Sequence, residues 1–256
     1  MAGKKASKKW LERFRVDPGA SFRWRDADPG ATPGVKDRKT AKEAMPDLAA
    51  RLNDLQEVLY AGAERSLLVV MQAMDTGGKD GAIRHVFGPL NPQGVRVTNF
   101  KAPSPDELAH DYLHRIHAAV PRKGMIGIFN RSHYEDVLVA RVHELVPRKE
   151  IDRRYRQIND FEKYLAENGV AILKFFLHIS REEQKERLES RLARPDKHWK
   201  FSASDLAERK RWDAYRRAYR KVLNECSTPW APWHVIPANR KWYRNVAIAN
   251  AVLETL

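Results

Sequence analysis

Apolar positions along this chain recur in two alternating patterns. Short continuous apolar runs stand at 66–72, 94–100, 124–130, 170–180 and 233–238. Runs this short, rich in Val, Ile and Phe, predict buried strands. Between them, apolar residues return every three or four positions, which predicts helices. The first helix is 43–60, with Leu48, Leu52, Leu55 and Leu59 on one stripe. Others begin near Lys79 and cover 104–120, 149–167, 181–193, 203–225 and 240–256. Ser104 with Glu107 gives 104–120 the signature of a capping box. Strands alternating with helices imply a five-stranded parallel sheet covered on both faces, a three-layer α/β/α arrangement. Residues 1–42, rich in Gly, Pro, Asp and Lys, show little periodicity and predict an N-terminal extended arm that wraps the domain or stays partly disordered. The domain proper is then 43–256. Ligands of such sheets bind beyond the carboxyl ends of the strands, so the loop from Asp75 and the segments 101–104, 130–136, 180–181 and 239–240 should line one crevice.

The most informative strand end is the first. Segment 67–87, LLVVMQAMDTGGKDGAIRHVF, passes from strand to helix through a glycine-rich turn carrying a lysine. Backbone N–H groups in such a turn converge on an anion; the helix start adds partial positive charge and the lysine a full one. The loop, 73–81, departs twice from G-x-x-x-x-G-K-[ST]: Ala73 replaces the first glycine, and Asp80 stands where Ser or Thr would hold Mg²⁺. Asp75, Gly77, Gly78, Lys79, Asp80 and Gly81 together still predict a phosphate-binding loop, because a ligand-free turn has no need of a lysine flanked by aspartates.

Two further segments bear chemistry. FNRSHYED, 129–136, follows the third strand, where phosphate-loop enzymes place a carboxylate that serves the metal. Here that place holds the neutral Asn130, with Glu135 and Asp136 following, and Arg131 offers a planar fork for a phosphoryl group. In 181–205, Arg187, Arg191 and Arg194 fall on one helical face before Pro195, and Lys197 and Lys200 follow. An arginine ladder ending in a basic loop suits a phosphoryl-transfer lid, placed at about 181–215, that neutralises transition-state charge and excludes water.

Composition narrows the partners. The 256 residues include 43% hydrophobic residues, enough for one large domain. No apolar run approaches the ~20 residues of a membrane span, and the basic N-terminus lacks the apolar stretch of a secretory signal. One cysteine, Cys226, excludes an internal disulfide and makes a reducing cytoplasm the simplest compartment. The net charge of +14 points to an acidic partner: nucleic acid, an anionic membrane or a polyanionic substrate. Residues 194–221 carry ten Lys/Arg against four Asp/Glu, inside the half that bears the chemistry; the basic cluster at 1–15 reads as a tail. His110, His114 and His117 share a face, but with no cysteine nearby and no zinc spacing they predict no metal site.

Together AMDTGGKDG (73–81), VPRKGMIGIFNRSHYEDVL (120–138), ILKFFLHIS (172–180), RPDKHWKFS (194–202) and APWHVIPANRKWYRN (231–245) resemble the family-2 polyphosphate kinases over nearly all of 45–256. The resemblance implies a thymidylate-kinase-like phosphate-loop fold with a helical lid. It implies Mg²⁺-dependent transfer between inorganic polyphosphate and nucleotides, in a homo-oligomer (dimer or tetramer). By resemblance Asp75, Lys79 and Asp80 serve phosphate and metal, with Glu135 as a further metal carboxylate; Asn130, Arg131 and Glu135 form the third-strand motif on the nucleotide; Arg187, Arg191, Lys197 and Lys200 are lid contacts. Some family members carry Asp at the place of Asn130, so here Asp75, Asp80 or Glu135 must take more of the metal. HYED resembles members that phosphorylate both nucleoside mono- and diphosphates, AMP and ADP or GMP and GDP. Two other expectations stand beside this one. An ATP-dependent nucleotide or small-molecule kinase shares the loop and lid. A basic nucleic-acid binder shares the charge, though the chain shows no helix-turn-helix, zinc or RNA-stacking signature.

Overall fold

The structure, a computed structural model, describes residues 9–200 and 203–256, without the side chains of Lys197, Trp199, Lys200, Ala203 and Ser204. In chain order the elements are α1 (Trp10–Phe14), α2 (Arg38–Gly62), β1 (Ser66–Ala73), α3 (Lys79–Val86), β2 (Val95–Asn99), α4 (Pro105–Leu108), α5 (His114–Ala119), β3 (Ile126–Asn130), α6 (Glu135–Val142), α7 (Arg148–Glu167), β4 (Val170–His178), α8 (Arg181–Leu192), α9 (Ala203–Lys210), α10 (Trp212–Glu225), β5 (Trp233–Pro237) and α11 (Lys241–Thr255). The five strands form one all-parallel sheet in the order β2-β3-β1-β4-β5.

β1 is buried along its whole length, as the central strand of a sheet covered on both faces must be. Its neighbours set the site. Met71 lies opposite Asn130 of β3 and Phe175 of β4, so the carboxyl ends of all three strands finish together. The chain leaves β1 toward one edge of the sheet and later returns to its other side at β4. β1 is therefore the switch point at which a crevice opens. α2, α3 and α11 pack as one group and α6, α7 and α10 as another; right-handed crossovers put the two groups on opposite faces.

The five predicted strands are all present. Two predicted helices are each divided. In 104–120 the capping box of Ser104 and Glu107 forms, but α4 ends at Leu108. Asp111 accepts the Leu113 N–H at 2.9 Å and turns the chain before α5, a local bond that competes with the helix. In 203–225 the break is at Arg211, after which Trp212 enters the core, 4% exposed. α2 begins five residues before the predicted start, because the Asp37 side chain caps it by accepting the Thr40 N–H. Ahead of α2, Phe14, Val16 and Val35 are buried, and the Val16 N–H reaches the Trp233 carbonyl at 2.8 Å, so residues of this segment close the β5 side of the core. His110 and His114 stack at 4.1 Å, and no group of three or more His, Cys, Asp or Glu side chains placed to hold a metal by themselves occurs among the described residues.

Two core histidines tie stability to pH. Burial, with Arg216 beside it, pushes the His178 imidazole down to about 4, and burial pushes His234 down to about 4 as well. The unfolded chain takes up protons below about 6.5, whereas the folded chain excludes them until about 4. Stability should be whole above pH 6.5 and fall as pH drops toward 4, by ~1–3 kcal/mol per histidine. Thermal melts of the protein and of His234→Gln across that range check this; the variant should show the shallower slope.

Candidate active site

The turn after β1 is built around backbone that ordinary residues avoid. Gly78 has φ 95° and caps α3, and Thr76 has φ 61°. A Cβ on Gly77 would lie 2.4 Å from the Ala73 side chain, and one on Gly78 would lie 2.2 Å from the Arg244 guanidinium, which is why both positions are glycine. The first intrahelical bond joins the Ala82 N–H to the Gly78 carbonyl at 3.0 Å. The N–H groups of Lys79, Asp80 and Gly81 precede that ladder and form the positive end of α3. Burial lowers the affinity of Lys79 for its proton, and Arg131 lowers it further; Asp75, Glu135 and Asp80 oppose both. An arriving anion would reverse the balance and fix the lysine charged.

Around this turn lies a crevice of about 940 Å³ that takes in the loop from Asp75 to Gly81, Lys101, Asn130, Arg131, Arg187, Arg191 and Arg244. Through His85, Glu183, Lys241 and Asn245 it continues into a second hollow of about 670 Å³ that presents Arg38, Lys42, Arg240 and Trp242. A third opening, about 310 Å³, lies on the other side of Asp75 and Arg131 and is of different character, with Met74, Leu138, Val139, Tyr215 and Tyr219 beside Glu135 and Glu208. Asp75 and Arg131 border both the first and the third.

Arg131 is held in an unusual conformation, φ 65°, by its own N–H on the Met71 carbonyl at 3.2 Å. Its guanidinium stands 3.6 Å from Asp75 and 3.9 Å from Glu135. Burial works against its charge, but Glu135 and Asp75 outweigh burial and raise its proton affinity. Beneath it is a fully buried polar network. Lys174 on β4 donates to Glu162 at 2.5 Å, to the Tyr134 hydroxyl at 2.8 Å and to the Cys226 carbonyl at 2.7 Å. Tyr134 donates to Glu162 at 2.8 Å, and His133 stands 3.2 Å from the same carboxylate. Burial alone raises the Glu162 pKa, but Lys174 and His133 bring it below the ordinary value, so the carboxylate stays ionised. Five polar groups thus clamp the residues directly after Arg131.

Asn130 donates through one amide nitrogen to Asp80 at 2.8 Å and Asn99 at 2.7 Å, tying the end of β3 to the start of α3. Asp136 turns from the crevice to Arg154, 3.6 Å away. The predicted arginine face is divided. Arg187, 8% exposed, donates to the Thr76 carbonyl at 3.0 Å, the Ala238 carbonyl at 2.6 Å and Glu183 at 2.6 Å, so it fastens the loop. Arg191 lies 3.8 Å from Asp205, while Arg194 pairs with Asp196 at 2.9 Å. The side chains of Lys197 and Lys200 lie outside the described residues.

Three contributors are not singled out by the sequence, although Arg244 lies inside the family-like segment 231–245. Arg244 binds the Gly78 carbonyl at 3.0 Å, Gln184 the Asp75 carbonyl at 3.0 Å, and Tyr219 the Ala73 carbonyl at 3.0 Å. The available signal for Arg244 was its place one turn into the helix that follows the last strand, on a face otherwise apolar.

Lys174→Met strands the Glu162 charge in the core and should cost ~3–5 kcal/mol in denaturant unfolding. The double change Lys174→Met with Glu162→Leu should recover much of that loss.

A sequence model of the family described as Polyphosphate kinase 2 matches residues 35–256. The chain is 52% identical to the AMP/ADP-polyphosphate phosphotransferase of Meiothermus ruber, over 96% of this chain and 92% of that one. It is 42% identical to the ADP-polyphosphate phosphotransferase of Rhodopseudomonas palustris, over 96% and 89% of the two chains. The crystal structure of polyphosphate kinase 2 from Arthrobacter aurescens TC1 superposes with a TM-score of 0.94 at 46% identity, covering 100% of this chain and 91% of that one.

Proposed function

This chain belongs to the polyphosphate kinase 2 family, and from that premise we propose that it transfers phosphoryl groups from inorganic polyphosphate to nucleoside mono- and diphosphates, AMP and ADP foremost. The observation that carries the reading is the meeting of two unlike openings at Asp75 and Arg131. The basic side, running from the phosphate loop past Lys241 to Arg38 and Lys42, suits a long polyanion. The smaller side, with its tyrosines and aliphatic wall, suits a base and ribose.

The acceptor's terminal phosphate oxygen attacks the terminal phosphorus of polyphosphate. The anhydride bond to the next phosphorus breaks, and the chain leaves one unit shorter with the electron pair of that bond. Lys79, the start of α3 and Arg131 stabilise the charge spread over the transferring oxygens, with Arg191 at the rim. No nucleophilic side chain is required, since alignment and charge suffice.

Magnesium is the metal the family implies. Asp75 and Asp80 line the crevice beside Lys79, and Glu135 stands across Arg131. One or two carboxylates completed by phosphate oxygens and water are what Mg²⁺ prefers over an all-protein cage, and the residues fit that arrangement. Bound there, the ion would screen the two substrates from each other and polarise the transferring phosphoryl group. Asn130 is neutral and tethers Asp80, so its contribution is to aim that carboxylate.

We further propose a homo-oligomer working in a reducing cytoplasm, where the buried thiol of Cys226, whose pKa burial raises, stays reduced. A native-mass measurement checks the assembly.

The test is turnover with long-chain polyphosphate, Mg²⁺ and AMP or ADP, products being separated by ion exchange. ATP should form from both acceptors, and Lys79→Ala should lose ~10³-fold or more in turnover with an unchanged melting temperature. Transfer from ATP to an acceptor, with none from polyphosphate, would overturn the reading.

A further inference from the structure

Two arginines converge behind the phosphate loop, and only one carboxylate answers them. Arg187 has Glu183 at 2.6 Å. Arg244, 2% exposed on α11, has neutral acceptors: the Gly78 carbonyl at 3.0 Å and the Asn245 side-chain oxygen at 2.7 and 3.1 Å. No carboxylate among the described residues pairs with Arg244. Burial, and Arg187 beside it, depress its pKa to about 10. A buried guanidinium without a counter-ion is costly, so a fold that keeps one gains something when the missing negative charge arrives. Arg244 lines the crevice that holds Lys79.

The bond to Gly78 also has a direction. Across a trans peptide, the carbonyl of one residue and the N–H of the next point opposite ways. The Gly78 carbonyl accepts the Ala82 N–H at 3.0 Å as the first acceptor of α3, and Arg244 adds a second bond to it at 3.0 Å, so the Lys79 N–H, on the opposite side of the peptide, is left to the start of the helix. The Gly78 position admits no side chain because the guanidinium approaches it so closely.

We propose that Arg244 is a positioning residue for the polyphosphate donor: it adds a second hold on the Gly78–Lys79 peptide that α3 aligns, and it keeps beside the loop a buried positive charge that a bound phosphoryl group neutralises. This rests on the polyphosphate reading above.

The test uses Arg244→Met, which keeps the stem and removes the charge, with tripolyphosphate as the probe. Melting temperature is read with and without tripolyphosphate, and KM is read for polyphosphate and for ADP. Without anion the variant should melt at or above the wild-type temperature, since an unpaired buried charge has gone. Its tripolyphosphate-induced rise should fall to less than half that of wild type. Its KM for polyphosphate should rise about tenfold while that for ADP stays within about twofold. Arg244→Lys, which keeps charge without the fork, should recover part of the anion response. An anion-induced rise equal to wild type overturns the proposal, as does failure of Arg244→Met and Arg244→Gln alike to fold, which makes the residue structural. A wild-type protein that tripolyphosphate does not stabilise fails earlier, at the donor reading itself.

Discussion

The turn after β1 has its carbonyl oxygens held by side chains from outside it, and the phosphate site of the proposed function depends on that hold, because a loop that is to receive an anion must keep its carbonyls away from it. The carbonyls of Asp75, Thr76 and Gly78 are each taken by a side chain from outside the loop, Gln184, Arg187 and Arg244. α8 and α11 supply those side chains because β4 and β5 deliver them to the same end of the sheet as β1. Parallel strands, strand order and the grip on the loop are thus links of one chain of causes, with positive charge gathered at the carboxyl end of the central strand as the result.

On the other side of β1 the same logic uses a different device. Arg131 sits in a backbone conformation that a non-glycine residue adopts only under restraint. The restraint comes from Ser132, His133 and Tyr134, which are buried and tied to Gln72, Glu162 and Lys174. A buried ion pair is weak support for stability, because desolvation consumes most of its attraction. Its value here is specificity: it leaves the segment one arrangement, and that arrangement holds Arg131 between Asp75 and Glu135.

Features that repeat, or that obey a local rule, were legible in the sequence. The five strands declared themselves as apolar runs, and the glycines of 77–81 as a tight strand-to-helix turn, since each reflects burial or backbone conformation at its own position. The breaks at Asp111 and Arg211 were not legible, because helical periodicity continues across them; a side-chain turn decides the first and the burial of Trp212 coincides with the second. Arg187 looked like part of a surface ladder, since spacing shows a shared face but not what that face meets. Arg244 stands in the family-like segment 231–245, but its role was not legible for the same reason: its partner is a backbone carbonyl 166 residues away, and a carbonyl leaves no mark in a sequence.

Charge divides the site under the proposed function: a basic route for the polyanion, continuous from Lys79 to Arg38, and a mixed, partly apolar opening for the nucleotide. Counter-ion release ties polyanion affinity to salt far more steeply than it ties that of a small ligand whose base is buried. The most direct measurement is the dependence of KM for long-chain polyphosphate and for ADP on salt, from about 50 to 300 mM at fixed free Mg²⁺. The account predicts a steep log–log rise for polyphosphate and a shallow one for ADP. Equal slopes, or a steeper one for ADP, would contradict it.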